Sequence, residues 1–273
     1  MKSESVKESS PKSRAAKALP AAPYIGGKRN LSKRLTAIID GHNHSTYAEP
    51  FVGMGGVFFR RSGQPQAEFI NDWSRDVSTF FRILQRHYVA FLEMLKFQLT
   101  TRTEFERLSA VDPETLTDLE RAARFLYLQR TSFGGKVDGR TFGTSIGRSA
   151  RFDITKLVPM LEAIHERLAP VTIERLPYAD FIRKYDRVGT LFFLDPPYFG
   201  CEDDYGPGMF SRADFEVLRD LLEAIEGSFI LTINDRPETR ALFAAFDIEP
   251  VIVSYSVGAG TSPAKELIIS RLR

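Results

Sequence analysis

The chain has 273 residues, a hydrophobic fraction of 43%, a charged fraction of 26% and a formal net charge of +2. This is the composition of an ordinary soluble globular protein, long enough for one large domain or for a core domain with a smaller insert. No stretch approaches the ~18 to 20 continuous apolar residues of a membrane span, Met1 to Leu19 lacks the apolar middle expected of a secretory signal, and the single cysteine, Cys201, excludes an internal disulfide and a multi-cysteine zinc site.

Residues 1–22 are rich in Lys, Ser and Ala, carry no hydrophobic period and end in Leu19-Pro20-Ala21-Ala22. They read as a flexible basic leader. Thr46 to Ala48 predicts a short buried strand, and the turn Glu49-Pro50-Phe51-Val52-Gly53-Met54-Gly55-Gly56 leads from it into a helix. Ala67 to Ile70 predicts the next strand, ending in Asn71-Asp72. Residues 74–130 break the pattern and read as consecutive helices, with Phe80, Ile83, Leu84, Leu119, Ala123 and Leu126 on apolar faces. Thr131 to Ser149 is rich in Gly, Thr and Ser and predicts a hairpin or loop.

Alternation then resumes. Leu157, Leu161, Ile164 and Leu168 repeat at helical spacing, as do Phe215, Leu218, Leu222 and Ile225, with Ser211 and Asp214 placed as a capping box. Between and after them, Val171 to Leu176, Leu191 to Leu194, Phe229 to Ile233, Ile248 to Ser254 and Lys265 to Arg271 predict strands. The expected fold class is α/β, a mostly parallel sheet with helices on both faces. Residues 23–73 and 150–273 are expected to form its catalytic part and 74–149 a helical insert with a Gly-rich hairpin.

Charge is uneven along the chain. From Glu120 to Lys156 eight Lys/Arg face three acids, an excess of five inside a nearly neutral protein. A solvated helix face and a phosphate-contacting surface both fit this excess.

Three features carry chemistry. Leu191-Phe192-Phe193-Leu194-Asp195-Pro196-Pro197-Tyr198 is a buried strand ending in an acid, two prolines and an aromatic ring. The prolines fix φ and donate no N–H, so their carbonyls are open to a ligand. Asp195 and the Pro196 carbonyl offer two acceptors beside the stacking face of Tyr198, which matches an exocyclic amine on a base. The glycines after Glu49 let backbone approach a ligand closely, and Asp72 stands where an acid accepts from ribose hydroxyls. No phosphate-loop sequence is present, so the implied cofactor is a nucleoside without a polyphosphate. His42, His44, His87 and His165 lack ligand spacing, and no metal is expected. Asn234-Asp235, at a strand end, is open between a loop turn and a site wall.

Taken in order, these segments resemble the Dam-type, or alpha-group, adenine-N6 DNA methyltransferases over residues 23 to 272. Pro23-Tyr24-Ile25-Gly26-Gly27-Lys28 is similar to that family's N-terminal cofactor motif, Phe51 to Gly55 to its F-x-G-x-G motif, and Asp195 to Tyr198 to its D-P-P-Y motif. Arg130-Thr131-Ser132-Phe133-Gly134-Gly135-Lys136 resembles the segment opening its DNA-reading hairpin, Tyr178-Ala179-Asp180-Phe181 the motif beside the cofactor adenine, and Lys265-Glu266-Leu267-Ile268 the closing strand. Tyr24 stands where many relatives carry Trp.

The resemblance implies a Rossmann-like fold, S-adenosylmethionine as cofactor and double-stranded DNA as partner, with no obligatory protein partner evident. It implies cofactor contacts at Tyr24, Lys28, Glu49, Phe51, Gly53, Gly55, Asp72, Asp180, Phe181 and Asp195, with Lys28 on the methionine carboxylate. It implies catalysis by Asp195, Pro196, Pro197 and Tyr198 on a flipped adenine, and DNA contacts at Arg130, Lys136, Arg140, Arg148 and Arg151. The setting is the cytoplasm of a prokaryotic cell or an infected host, with a phage-borne or restriction-linked enzyme. The alternatives are a catalytically idle DNA-binding regulator on the same fold, or a methyltransferase acting on cytosine N4, RNA adenine or protein glutamine.

Overall fold

Strands whose two faces are both covered read as continuous apolar runs, as the fully buried Thr190–Leu194 does, and seven strands assemble into one sheet. The computed structural model describes residues 18–144, 146–147, 149–202, 206, 208–257 and 260–273. Its strands are β1 (Thr46–Glu49), β2 (Ala67–Asn71), β3 (Thr172–Glu174), β4 (Thr190–Leu194), β5 (Ser228–Asn234), β6 (Asp247–Val257) and β7 (Gly260–Arg271). The sheet order is β3-β2-β1-β4-β5-β7-β6. β1 to β5 are parallel, and β7 runs antiparallel to both β5 and β6. All seven strands lie where the apolar runs predicted them, and the fold is a mixed α/β, Rossmann-like sheet.

Residues along β4 alternate between two cores. Leu191 and Phe193 join a cluster with α1 (Ser32–Gly41), α2 (Arg75–Arg86) and α6 (Ile154–Leu168); Phe192 and Leu194 join another with α7 (Tyr178–Tyr185) and α8 (Asp214–Ala224). Because the chain leaves β1 for β2 and β3 before returning to β4, the order reverses between β1 and β4. The carboxyl ends of strands at such a reversal leave a crevice in which ligands bind.

The connection from β2 to β3 carries α2, α3 (Tyr88–Leu95), α4 (Arg102–Ala110), α5 (Asp118–Thr131) and α6. Thr117 and Glu120 close a reciprocal capping box at the start of α5, which satisfies two otherwise unpaired N–H groups. Phe80, Phe91, Phe105 and Phe125 of these helices lie in the same hydrophobic cluster as Tyr47 and Ile70 of the sheet. The expected insert, 74–149, therefore shares a core with the sheet. After α5, Ser132 and Phe142 form an antiparallel bridge, flanked by bonds from Phe133 N–H to Thr141 O (2.8 Å) and Gly143 N–H to Thr131 O (2.7 Å). This is the predicted hairpin in its shortest form.

One boundary moves. Ala18, Ala21 and Ala22 are buried in the core, and Arg130 Nη1 donates to Ala21 O at 2.6 Å. Residues 18–22 thus belong to the packed structure and not to a flexible leader, while 1–17 lie outside the described residues. Among the described residues no helix is long and apolar enough to cross a membrane.

Candidate active site

A cavity of about 930 Å³ opens at the strand reversal, lined by the turn after β1, the end of β2, the end of β4 and residues 22–29. The turn after β1 bends through two glycines with different reasons to be glycine. Gly53 has φ +50°, and a Cβ there would sit 3.0 Å from the Tyr24 ring. Its N–H donates to Asp72 Oδ2 at 2.9 Å, and Asp72 Oδ1 accepts from Ser74 N–H at 2.9 Å. Asp72 thereby ties the ends of β1 and β2 together; burial pushes its carboxyl up to about 6, against the pull of those two N–H groups. Gly55 has φ +72°, and a Cβ there would meet the Phe59 ring at 2.4 Å. Gly55 does not line the cavity; it serves close packing on Phe59.

Asn71 fixes the neighbouring loops. Its Nδ2 donates to Pro50 O (2.9 Å) and Leu176 O (3.0 Å), and its Oδ1 accepts from Leu176 N–H (2.8 Å). Asn234 at the end of β5 does the same for the loop after β4: its Oδ1 accepts from Phe199 N–H (3.0 Å) and its Nδ2 donates to Phe199 O (2.9 Å). Asn234 is therefore a clamp on the segment that follows Tyr198.

Asp195 leaves β4 on the α6 side of the sheet. Lys28 Nζ lies 2.7 Å from its Oδ1, and the buried Thr232 hydroxyl donates to the same oxygen at 2.8 Å. Burial pushes the Asp195 carboxyl up, and the Lys28 ammonium and Thr232 hydroxyl offset part of that rise. Lys28 also donates to Gly26 O (2.7 Å) and stands 4.7 Å from the centre of the Tyr198 ring. The expected methionine-carboxylate cation is already committed to the acid of the D-P-P-Y segment. Pro196 and Pro197 are both buried, and Pro197 lines the cavity.

Glu49 lines the same cavity yet is buried, accepting from Tyr47 Oη at 2.6 Å. Burial pushes its carboxyl up to about 8, so it is largely protonated at neutral pH. At the other end, Phe51 packs against Tyr178 (5.4 Å between ring centres) and Phe210 (6.0 Å), and Asp214 Oδ1 accepts from Tyr178 Oη at 2.9 Å. Asp214 also accepts from Ser211 N–H and Oγ, the half of the expected capping box that forms.

Besides Gly55, two expected cofactor residues do not reach the cavity. Asp180 is exposed and pairs with Arg183 at 3.2 Å, and Phe181 is fully buried against Tyr185. α7 starts at Tyr178, so the helical phase turns Tyr178 and Pro177 toward the cavity and carries the side chains of Asp180 and Phe181 past it.

The expected DNA cations divide. Arg130 Nε donates to Arg151 O (2.8 Å) while its Nη1 holds Ala21 O, and Arg151 Nη1 donates to Ser132 O (2.8 Å). Both guanidiniums bind the hairpin to the body. Lys136 is exposed, and Arg140 is half-buried with Nε 3.3 Å from Lys136 O. Arg148 lies outside the described residues. Sequence reasoning missed Thr232, Asn71 as a clamp and Arg60, and from the Tyr178 to Phe181 segment it singled out Asp180 and Phe181 where Tyr178 lines the cavity; of the missed residues only Asn71, beside Asp72 at a strand end, carried a local signal.

Residues 24–257 match the family described as D12 class N6 adenine-specific DNA methyltransferase. The chain is 27% identical over 268 residues to the type II methyltransferase M1.LlaDCHI of Lactococcus lactis subsp. cremoris, covering 89% of this chain and 90% of that one. It is 23% identical over 231 residues to the type II methyltransferase M.CviBI of Paramecium bursaria Chlorella virus NC1A, covering 83% and 87%. Against the DNA N-6-adenine-methyltransferase of Escherichia phage P1 it is 27% identical over 231 residues, 77% of this chain and 29% of that one.

Proposed function

The chain belongs to the D12 class of N6 adenine-specific DNA methyltransferases, and on that premise we propose that Asp195 receives the amine of an adenine flipped out of double-stranded DNA at a short specific sequence. The observation that carries this reading is the one-sided loading of Asp195. Lys28 and Thr232 both bind Oδ1, which leaves Oδ2 for an amine proton. The adenine amine is a weak nucleophile because its lone pair is delocalised into the ring. Holding one proton on Asp195 and the other on the Pro196 carbonyl localises that pair on nitrogen. Preorganised acceptors of this kind act without reorganising during reaction, and alignment of the two reactants supplies much of the rest. Once methylated, the nitrogen is acidic, and the Asp195 carboxylate is the neighbouring base.

The family implies S-adenosylmethionine as methyl donor, and the cavity fits it. Gly53 keeps the turn clear beneath Tyr24, Asp72 offers a carboxylate to ribose hydroxyls, and Phe51 with Tyr178 offers aromatic faces to a purine. When bound, the cofactor supplies a sulfonium methyl. Extrusion of the base is required because its amine is otherwise inside the duplex, and Tyr198 is the ring on which it stacks. The hairpin with Lys136 and Arg140 faces the flanking duplex. A DNA substrate sets this work beside the DNA of a prokaryotic cell or an infected host.

The test is incubation with labelled S-adenosylmethionine and duplex DNA, followed by nucleoside analysis. N6-methyladenine is expected. Label in N4-methylcytosine, in RNA alone or in protein overturns the reading.

A further inference from the structure

We propose that Arg60, assisted by Arg29, holds the methionine carboxylate of the cofactor, and that Lys28 does not. This rests on S-adenosylmethionine being the cofactor.

Lys28 is poorly placed for the task. Its side chain is 2% exposed, its Nζ pairs with Asp195 and it also donates to Gly26 O. A cofactor carboxylate on Lys28 would bring a second anion against the Asp195 carboxylate in a desolvated place, and like charges there repel strongly. Moving Lys28 to a separate carboxylate would leave Asp195 buried without its counter-ion, which is equally unfavourable.

Arg60 has the opposite situation. It lines the same cavity, at the end of the single helical turn Phe58–Arg60 that follows the glycines. Its Nη1 donates to Gly56 O at 2.5 Å, folding the side chain back along the turn. A guanidinium carries five N–H donors, so one such bond leaves an open fork of the kind that binds a carboxylate through two parallel bonds. Arg29 lines the cavity too, and among the described residues neither arginine takes part in an ion pair. Burial and the adjacent Arg29 both disfavour the charge on Arg60; an anion between the two relieves both effects.

Position along the cavity identifies the anion. Asp72, bonded to Gly53 N–H, and the Phe51–Tyr178 ring pair line the part of the cavity that suits a nucleoside. Gly56, whose carbonyl Arg60 holds, lies against the backbone of Lys28 (3.6 Å from its N to an added Cβ), so Arg60 stands at the Lys28 end of the glycine turn. A nucleoside bound across Gly53 directs its amino-acid tail there. A half-buried arginine inside this cavity is also unlike the exposed cations that meet DNA phosphate.

The experiment compares two nucleosides by calorimetry on the full chain: S-adenosylhomocysteine, which has the carboxylate, and 5′-methylthioadenosine, which lacks it. Arg60→Gln is expected to weaken S-adenosylhomocysteine about 10- to 100-fold, the loss typical of a charged hydrogen bond, and to leave 5′-methylthioadenosine unchanged. Lys28→Met is expected to keep the preference for S-adenosylhomocysteine. Equal weakening of both nucleosides by Arg60→Gln would make Arg60 a brace for the glycine turn and overturn the proposal. So would unchanged nucleoside binding with weaker, less salt-dependent DNA binding, which would assign Arg60 to phosphate. Should Arg60→Gln fail to fold, Arg29→Gln at its exposed position reads the same split: a several-fold loss on S-adenosylhomocysteine alone supports the proposal, and no loss overturns it. A wild-type chain that binds neither nucleoside overturns the cofactor reading itself, a separate outcome.

Discussion

Lys28 Nζ and Asp195 Oδ1 stand 2.7 Å apart, with the lysine side chain 2% exposed and the aspartate 18%. The segment before α1 thus supplies the counter-ion for the acid at the end of β4. Neither charge is comfortable alone: removing one partner of a buried pair typically costs about 3–5 kcal/mol, because the other is left desolvated.

Asp195→Ala is therefore expected to lose both turnover and stability. Turnover should fall by about 10² to 10³, as for other lost preorganised contacts to a reacting group. Lys28→Met combined with Asp195→Asn should recover much of the stability and none of the turnover. Denaturant unfolding and methyl-transfer assays on the single and double variants decide it. Activity within a few-fold of wild type in Asp195→Ala would reject Asp195 as amine acceptor.

Thr232→Val removes one hydroxyl from a fully buried site while keeping its shape. The lost bond to Asp195 Oδ1 is worth about 1 kcal/mol, and the carboxylate becomes free to turn. Turnover should drop about fivefold for a loss of that size, with nucleoside affinity unchanged. A purely structural threonine would shift the unfolding midpoint and leave kcat alone.

These two residues mark what a sequence can and cannot reveal. The backbone plan was legible, since the central strands, covered on both faces, are apolar nearly throughout and the D-P-P-Y and glycine segments fall at strand ends. Direction was not. Tyr178 faces the cavity while Asp180 and Phe181 do not, because α7 begins at Tyr178 and a shift of one residue would rotate all three. The Arg130 charge was counted correctly, but its partners, the carbonyls of Ala21 and Arg151, are brought to it only by tertiary packing. Ala18, Ala21 and Ala22 show no period of their own and are buried by what packs over them.

Burial holds the Asp72 carboxyl up to about 6, so the cofactor-free chain takes up a proton there as pH falls through that value. An ionised carboxylate is the stronger acceptor for ribose hydroxyls. Affinity for S-adenosylhomocysteine should therefore rise with pH up to about 6 and level off above it. Asp72→Asn should abolish that step and bind more weakly at pH 7. A calorimetric pH series with the step retained in Asp72→Asn would move the ribose partner elsewhere.

Glu49 carries a sign of its own. Its carboxyl is raised from the ordinary glutamate range to about 8, so its protonated form is the stable one in the fold. The stability linked to it is fully present below about pH 4.5 and is lost as pH rises through about 8. Glu49→Gln mimics the protonated acid and should fold and bind nucleoside at pH 7 much as wild type does. It should gain on wild type progressively as pH rises from about 4.5 to about 8, and the gap should stay constant above that. A thermal unfolding series in which both proteins lose stability in parallel from pH 6 to 9 would show that Glu49 is ionised throughout.

The hairpin cations separate into two kinds of test because the structure gives them two kinds of partner. Lys136 is exposed and in no ion pair among the described residues, so its charge is available to a phosphate. Arg130 is occupied by two carbonyls at 2.6 and 2.8 Å. Releasing one counterion fewer lowers the slope of log affinity against log salt by about 0.9 for duplex DNA. Lys136→Gln should therefore weaken binding to every sequence and flatten the salt dependence by close to that amount, with no change in unfolding. Arg130→Met should instead lower stability, by about 1.5 to 3 kcal/mol for hydrogen bonds from a charged group, and leave the salt slope as it was. Arg140 stands between them, half-buried beside Lys136. If it reads a base edge, Arg140→Gln should cost about 1 to 3 kcal/mol of discrimination at one position and leave binding to unrelated DNA nearly unaltered. DNA affinity measured from low to high salt, on cognate and random duplexes, distinguishes all three. A salt slope that drops for Arg130→Met and not for Lys136→Gln would mean that the hairpin meets DNA with its inner face, and the assignment of its outer cations would be wrong.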